Sequence, residues 1–174
     1  QVSGDSGVNR AGALIHAAIL GARPDINYSA HTHTRAGSAV SGMKCGLLPI
    51  SQHAGMVLPS VCRHPYQDVT SAEDECEALA RDIGQNFAMI MENHGLLTCG
   101  RSVRECFYYL YYLETACKIQ VDVMSSGQDP ILLSDKIING LYFRDGVPEK
   151  EPYGVEDWDP QVRWLDKHMP DFRD

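Results

Sequence analysis

Apolar residues recur at helical spacing through residues 102–124 and predict one long, half-buried helix. Ser102 followed by Glu105 matches the capping-box pattern at the start of this helix. Before it, residues 87–91 form a continuous apolar run of strand length, and residues 96–99 form a second short strand. Because strand-like and helical segments are interleaved, the chain is predicted to fold as an α/β protein.

Segments with similar apolar spacing fill most of the remaining chain. The predicted helices span residues 10–21, 36–40 and 71–83, and the predicted strands span residues 26–33, 47–51 and 56–58. Residues 52–65 are otherwise rich in turn signals, and the tail at residues 129–174 is predicted to hold one short helix near residues 161–168. We expect a single domain over residues 1–174, with its core in residues 1–128.

Charge and composition argue against two classes of partner. The formal net charge is -8 with no basic run, so we expect no nucleic-acid partner. The longest apolar stretches are far shorter than the roughly 20 residues of a membrane span, so we expect no span.

The 6 cysteines stand singly, which favours reduced thiols in a cytoplasmic protein over a disulfide framework or a Cys-ligated zinc.

Three histidines form a candidate metal site. His31 and His33 lie two residues apart on a predicted strand, so both side chains project from one face. This pair alone favours exposed or structural histidines at the strand end over metal ligands. His94 lies between two predicted strands beside Gly95, where a backbone turn can aim its side chain into a cleft. Three neutral imidazoles with an open position suit catalytic zinc, so we predict a site for zinc or another divalent metal.

The remaining histidines fit a metal site less well. His16 falls inside a predicted helix and is interpreted as a hydrogen-bonded packing residue. His53 and His64 fall in predicted loops, where we expect them to be solvated or to lie beside the ligands. His168, in the acidic tail, is predicted to be at the surface.

Several motifs carry a family resemblance. They are AHTHTRAG at 30–37, MKCGLLP at 43–49, ENHGLLTCG at 92–100 and YYLETACKIQ at 111–120. These motifs resemble those of the class II aldolase and adducin family, with the adducin-like branch as the nearest match. The resemblance covers roughly residues 8–126, and its H-x-H and N-H-G elements occur in the family's order.

The resemblance implies an α/β/α layered domain around a mostly antiparallel sheet, commonly assembled as a homotetramer. In the family's aldolases, zinc is held by histidines that correspond to His31, His33 and His94. The metal polarises a hydroxy-ketone and stabilises an enediolate. The resemblance therefore implies a metal-dependent lyase-like or isomerase-like enzyme for a small hydroxy-carbonyl or sugar-derived substrate.

The chain departs from the aldolase pattern at its acid–base position. The glutamate that transfers protons in these aldolases corresponds to Gly12, and glycine cannot act as a base. The glycine-rich phosphate-binding segments expected upstream are absent as well, as though an N-terminal portion were missing. Glu92 is a weak substitute candidate, as base or fourth ligand, because it shares strand parity with His94; a solvated carboxylate is the alternative.

The missing glutamate raises the question of other groups for proton transfer or substrate binding, and of a function without catalysis. A metal-bound hydroxide could itself abstract a proton, whereas the tyrosines at 108, 109, 111 and 112 are interpreted mainly as packing or subunit-contact residues. Arg35 is compatible with an anionic group or a salt bridge. The rival function is a non-catalytic, adducin-like oligomeric interaction module with cytoskeletal association, in which the metal site is structural or vestigial.

Overall fold

The computed structural model describes residues 7, 9–66, 72–142 and 154–173. Helices and strands are interleaved throughout these ranges, as predicted. In chain order they are α1 (Arg10–Ala22), β1 (Tyr28–Thr32), α2 (Arg35–Ser41), α3 (Gln52–Val57), β2 (Val61–His64), α4 (Ala72–Ile83), β3 (Ala88–Met91), β4 (Gly95–Gly100), α5 (Val103–Ser125), α6 (Asp135–Tyr142) and α7 (Val155–His168). Short 3-10 turns occupy Leu58–Ser60 and Pro170–Arg173.

The four described strands form one sheet in the order β1-β4-β3-β2. β4 pairs antiparallel with both β1 and β3, whereas β2 and β3 are parallel. The parallel pair requires a crossover, which α4 provides. The predicted α/β class and mostly antiparallel sheet are confirmed.

Helices cover both faces of the sheet. Alternate residues of a strand point to opposite faces, and β3 illustrates this. Its Met89 and Met91 pack in one cluster with Ile19 of α1 and Leu79 of α4. The alternate residues of β3 pack in a second cluster, with residues of α2 and α5. The structure is therefore layered α/β/α, as the resemblance implies.

The long helix α5 begins at a modified capping box. The Ser102 hydroxyl accepts a hydrogen bond from the backbone N–H of Glu105, as predicted. In a full capping box, the Glu105 carboxylate would accept a hydrogen bond from the backbone N–H of Ser102. It accepts instead from the backbone N–H of Arg101 and pairs with the Arg101 guanidinium. Because Glu105 is fully buried, a cation beside it offsets the cost of removing its charge from water.

Two predicted strands are wrong. Residues 47–51 form an irregular loop, and the backbone N–H of Leu48 donates to the Gln120 side chain of α5 at 2.7 Å. Residues 56–58 belong to the end of α3 and the 3-10 turn after it. Ser51 caps α3 through the N–H of Ala54. The segment predicted to consist of turns therefore contains α3 and the edge strand β2, both too short to show a clear periodicity.

The tail contains more helix than predicted. The helix expected near residues 161–168 begins earlier, at Val155, and α6 is an additional helix. Pro160 lies inside α7 and resembled a boundary in the sequence. The predicted start of α4 at Ser71 lies outside the described residues.

Half of the cysteines are buried as small apolar residues, as predicted, whereas Cys45 is exposed. All six are free, and Cys99, Cys106 and Cys117 are buried. Burial raises the pKa of Cys99 and Cys117 to about 12. Within the described ranges, none of the helices combines the length and apolar character needed to cross a membrane.

Candidate metal centre

Three imidazole rings meet at one end of the sheet. Each of His31, His33 and His94 offers one nitrogen, and these atoms lie within 4.8 Å of one another. The ring centroids are 4.7, 4.8 and 4.6 Å apart. His31 and His94 are half-buried, whereas His33 is exposed. The cluster is therefore open on the side of His33.

The sheet holds the ring of His31. His31 lies in β1 opposite Leu97 of β4. Its Nδ1 is 2.9 Å from the carbonyl oxygen of Leu96, and since a carbonyl only accepts, Nδ1 carries the proton and donates. The lone pair is then on Nε2, which lies 2.8 Å from Nε2 of His33. A backbone carbonyl on the remote nitrogen is a common way to orient a metal-binding histidine.

The turn between β3 and β4 presents His94. Asn93 has a φ of 53°, a left-handed conformation that asparagine tolerates better than most residues. The backbone N–H of Asn93 donates to the carbonyl of Ser41 at 3.2 Å. The Ser38 hydroxyl donates to the carbonyl of His94, also at 3.2 Å. Helix α2 therefore anchors this turn through two hydrogen bonds.

Gly95 allows the turn that carries His94 to lie close to the segment that carries His31 and His33. A Cβ at this position would lie 2.3 Å from the carbonyl oxygen of Thr32 and 3.2 Å from Cδ2 of His33. The first contact is with backbone, which cannot rotate away. A glycine is needed here because β1 passes so close to the start of β4.

The surroundings of His31 and His94 favour neutral imidazoles, which are the metal-binding form. Burial lowers the pKa of His31, and the nearby His94 and His33 lower it further, against a raising effect of the Leu96 carbonyl. Burial and the neighbouring His33 likewise lower the pKa of His94, with Glu75 opposing. Three imidazole nitrogen donors with one open side are a donor set that fits zinc, whereas iron is less favoured without a carboxylate.

Glu92 occupies a different position from the one expected. Residues 92–94 form a turn, so Glu92 and His94 do not share a face of one strand. The Glu92 carboxylate pairs with Nη2 of Arg63 at 2.8 Å, and its backbone N–H donates to the carbonyl of His64. Among the described residues, the cluster of possible metal ligands comprises the three histidines without Glu92.

Among the described residues, the other histidines are not part of this ligand cluster. His16 accepts or donates a 2.7 Å hydrogen bond with Ser29, which confirms its packing role, and His168 is exposed, as predicted. His53 lies on α3, half-buried, rather than in a loop. The prediction of a solvated loop position is wrong for His64: it ends β2, is 3% exposed and contacts Asp82 at 2.7 Å.

Sequence reasoning missed one carboxylate near the H-x-H segment. The hydroxyl of Thr34, the residue after His33, donates to Oε2 of Glu114 at 2.5 Å. Glu114 belongs to α5, and the positions are 80 residues apart. Glu114 lies in the family-like motif at 111–120, which could have drawn attention to it. Nothing in that motif indicated that Thr34 is its partner.

Known proteins share both the sequence and the fold of this chain. The sequence model described as "Class II Aldolase and Adducin N-terminal domain" matches residues 1–121. Alpha-adducin from Rattus norvegicus is 39% identical over an alignment of 175 positions, which covers 92% of this chain and 23% of alpha-adducin. An aldolase II superfamily protein from Pseudomonas syringae has a crystal structure with a TM-score of 0.87 and 38% identity, covering 99% of this chain and 70% of that chain.

A more distant structure shares the fold. It is the L-fuculose 1-phosphate aldolase from Glaciozyma antarctica PI12, with a TM-score of 0.77 and 24% identity over 96% of this chain and 65% of that chain. The chain thus spans 23% of alpha-adducin and 65% to 70% of the two structures.

Proposed function

Since the chain belongs to the class II aldolase and adducin family, we propose that it is a metal-dependent enzyme of lyase or isomerase type. Its substrate is a small hydroxy-carbonyl or sugar-derived compound. His31, His33 and His94 bind one divalent metal ion, with zinc as the preferred candidate. The observation that carries this proposal is that three imidazole nitrogens lie within 4.8 Å of one another on a site with one exposed side.

The residues of the chain have defined tasks in this proposal. A bound divalent metal supplies Lewis-acid polarisation of a substrate oxygen. The Leu96 carbonyl keeps the His31 ring in the tautomer that has its lone pair on Nε2, the nitrogen that would bind the metal. The exposed His33 side leaves room for a substrate. We assign no general base, because Gly12 has no side chain and the Glu92 carboxylate is paired with Arg63.

Metal analysis of the purified protein tests the ligand set. We expect close to one zinc or other divalent ion per chain in the wild type, and strong loss in His33→Ala with modest effect on folding. His168→Ala is the matched control, since His168 is an exposed histidine at the end of α7. Metal content below about a tenth of the chains in the wild type would remove the basis of the enzyme proposal. Unchanged content in His33→Ala would contradict the ligand assignment.

An activity screen tests the chemistry. Hydroxy-ketones and sugar-derived aldol compounds are offered with and without a chelator, and we expect turnover that the chelator abolishes. His33→Ala should lose this turnover, whereas His168→Ala should keep it. Turnover that survives complete metal removal would contradict a metal-dependent mechanism.

A second candidate function is an adducin-like interaction module without catalysis. Two observations favour it: the 39% identity to alpha-adducin and the glycine at position 12. In this case the metal site is structural or vestigial. Stoichiometric metal with no turnover in the screen, together with a defined oligomer, would favour the module over the enzyme.

Assembly and location are also proposals. We infer a homotetramer of single-domain chains, supported by the family resemblance, and a cytoplasmic location, supported by the six free thiols. Analytical ultracentrifugation at micromolar concentration checks the assembly, and a monomer would contradict it.

A further inference from the structure

The Thr34 side chain connects the end of the H-x-H segment to helix α5. Its hydroxyl donates to Oε2 of Glu114 at 2.5 Å. The hydroxyl oxygen also accepts from the backbone N–H of Gly37 at 3.2 Å and thereby caps α2. One hydroxyl thus donates to α5 and accepts from α2, which sets the position of the chain at residue 34.

This connection matters because His33 lies beyond the sheet. β1 ends at Thr32, whose partner in β4 is Leu96. His31 lies within the paired strand and has a carbonyl on its remote nitrogen, whereas His33 has neither form of support. Thr34 is the next anchored residue along the chain, directly after His33.

The strength of the anchor comes from the charge and burial of Glu114. Its side chain is 14% exposed, and its Oε1 lies 3.4 Å from Nζ of Lys118, which is 63% exposed. A hydroxyl that donates to a shielded carboxylate forms a charge-assisted hydrogen bond, about twice as strong as a neutral one. Without the carboxylate, the Thr34 hydroxyl keeps its bond from the Gly37 N–H but loses its tie to α5, so the segment that carries His33 is less constrained.

We propose that Glu114 is a positioning residue for His33, acting through the Thr34 hydroxyl, and that it sets the affinity of the three-histidine site for a divalent metal. This inference rests on the proposed metal site and deepens it. Glu114 does not itself bind the metal; it limits the positions available to the exposed ligand. Groups that orient metal ligands in this way typically change affinity by about 10- to 100-fold.

Binding of Co²⁺ alone measures the effect, by competition with a chromophoric chelator and by the visible spectrum of the bound ion. We expect Glu114→Ala to weaken Co²⁺ binding by about 10- to 100-fold and to alter the spectrum. Glu114→Gln keeps an acceptor oxygen for Thr34 and should retain most of the affinity. Asp122→Ala, an exposed acid on the same helix, is the matched control and should bind as the wild type does. If Glu114→Ala does not fold, Glu114→Met, which keeps the length of the side chain but removes the acceptor oxygens, serves the same purpose.

A measurement without metal separates this inference from the proposed function. The ¹⁵N shift of Nε2 of His33, recorded at one pH in the metal-free protein, reports its 2.8 Å contact with His31. We expect a change in Glu114→Ala but not in Glu114→Gln or Asp122→Ala. If the wild type binds no Co²⁺, the proposed metal function fails, while the ¹⁵N shifts still decide the positioning role. Wild-type shifts and affinity in Glu114→Ala, or equal losses in Glu114→Gln, would overturn the inference.

Discussion

At the scale of single residues, a buried charge is satisfied both by a near neighbour in the chain and by backbone groups of a distant segment. The Arg23 guanidinium illustrates this: it is 4% exposed and makes a two-pronged contact with Asp25 at 2.7 and 2.8 Å. It also donates to the carbonyl oxygens of Gly84 and Asn86. Arg23 therefore joins the end of α1 to the connection between α4 and β3.

The Arg23–Asp25 pair makes stability depend on pH. The hydrogen bond from Arg23 holds the pKa of the Asp25 carboxyl below its ordinary value. A lowered native pKa contributes stability above the ordinary pKa of about 4, and this stability is lost as pH falls through the native value. Because Asp25 is half exposed, we expect Asp25→Asn to cost about 1 kcal/mol at pH 7, with the difference shrinking below about pH 4.

Urea unfolding at several pH values checks this dependence. Asp129→Asn, which removes the same charge from an exposed position, is the control and should show little effect at either pH. A cost for Asp25→Asn that stays constant down to about pH 2 would contradict the linkage to Asp25 ionisation.

At the scale of secondary structure elements, the predictions succeeded where the apolar pattern was clear. The apolar repeat of α5 and the apolar runs of β3 and β4 placed these elements to within a few residues. They failed for α3 and β2, which mix polar and apolar residues over 6 and 4 positions with no clear repeat. The conformation of such short, mixed segments depends on what they pack against.

The close approach of β1 to β4 gives a prediction at this scale. A Cβ at Gly95 would contact the Thr32 carbonyl at 2.3 Å, so Gly95→Ala must push the strands apart beside the histidines. We expect a loss of about 1–3 kcal/mol in unfolding free energy, together with weaker metal binding.

Denaturant unfolding and metal analysis measure the two effects of Gly95→Ala. Gly21→Ala is the control, because nothing lies within 4 Å of a Cβ at that position of α1. It should be neutral or stabilise slightly, since alanine favours a helix over glycine. Equal stability of the two variants would mean that the strands adjust without cost.

At the scale of the whole molecule, the site joins segments that are far apart in the chain. A metal bound by His31, His33 and His94 therefore binds the folded state far better than the unfolded chain. At a free metal concentration 100 times the dissociation constant, such binding raises the free energy of unfolding by about 2.7 kcal/mol. For a domain of this size, that corresponds to a rise of about 5–10 °C in the unfolding midpoint.

Thermal unfolding with added Zn²⁺ and with EDTA checks this stabilisation. We expect the rise in the wild type and in His168→Ala, and its absence in His33→Ala. An equal rise in His33→Ala would show that the stabilising ion binds elsewhere.

The sequence identified the α/β class, the long helix α5 and the three histidines, because each depends on residue type and on short spacings. It did not predict the contacts of Glu92, His64 and Glu114. Their partners are Arg63, Asp82 and Thr34, and the last pair is 80 residues apart. Which charged group meets which depends on how helices dock on the sheet, and docking follows from packing of the apolar faces. No local pattern records those pairings, so the supports of the candidate site became visible only in the folded chain.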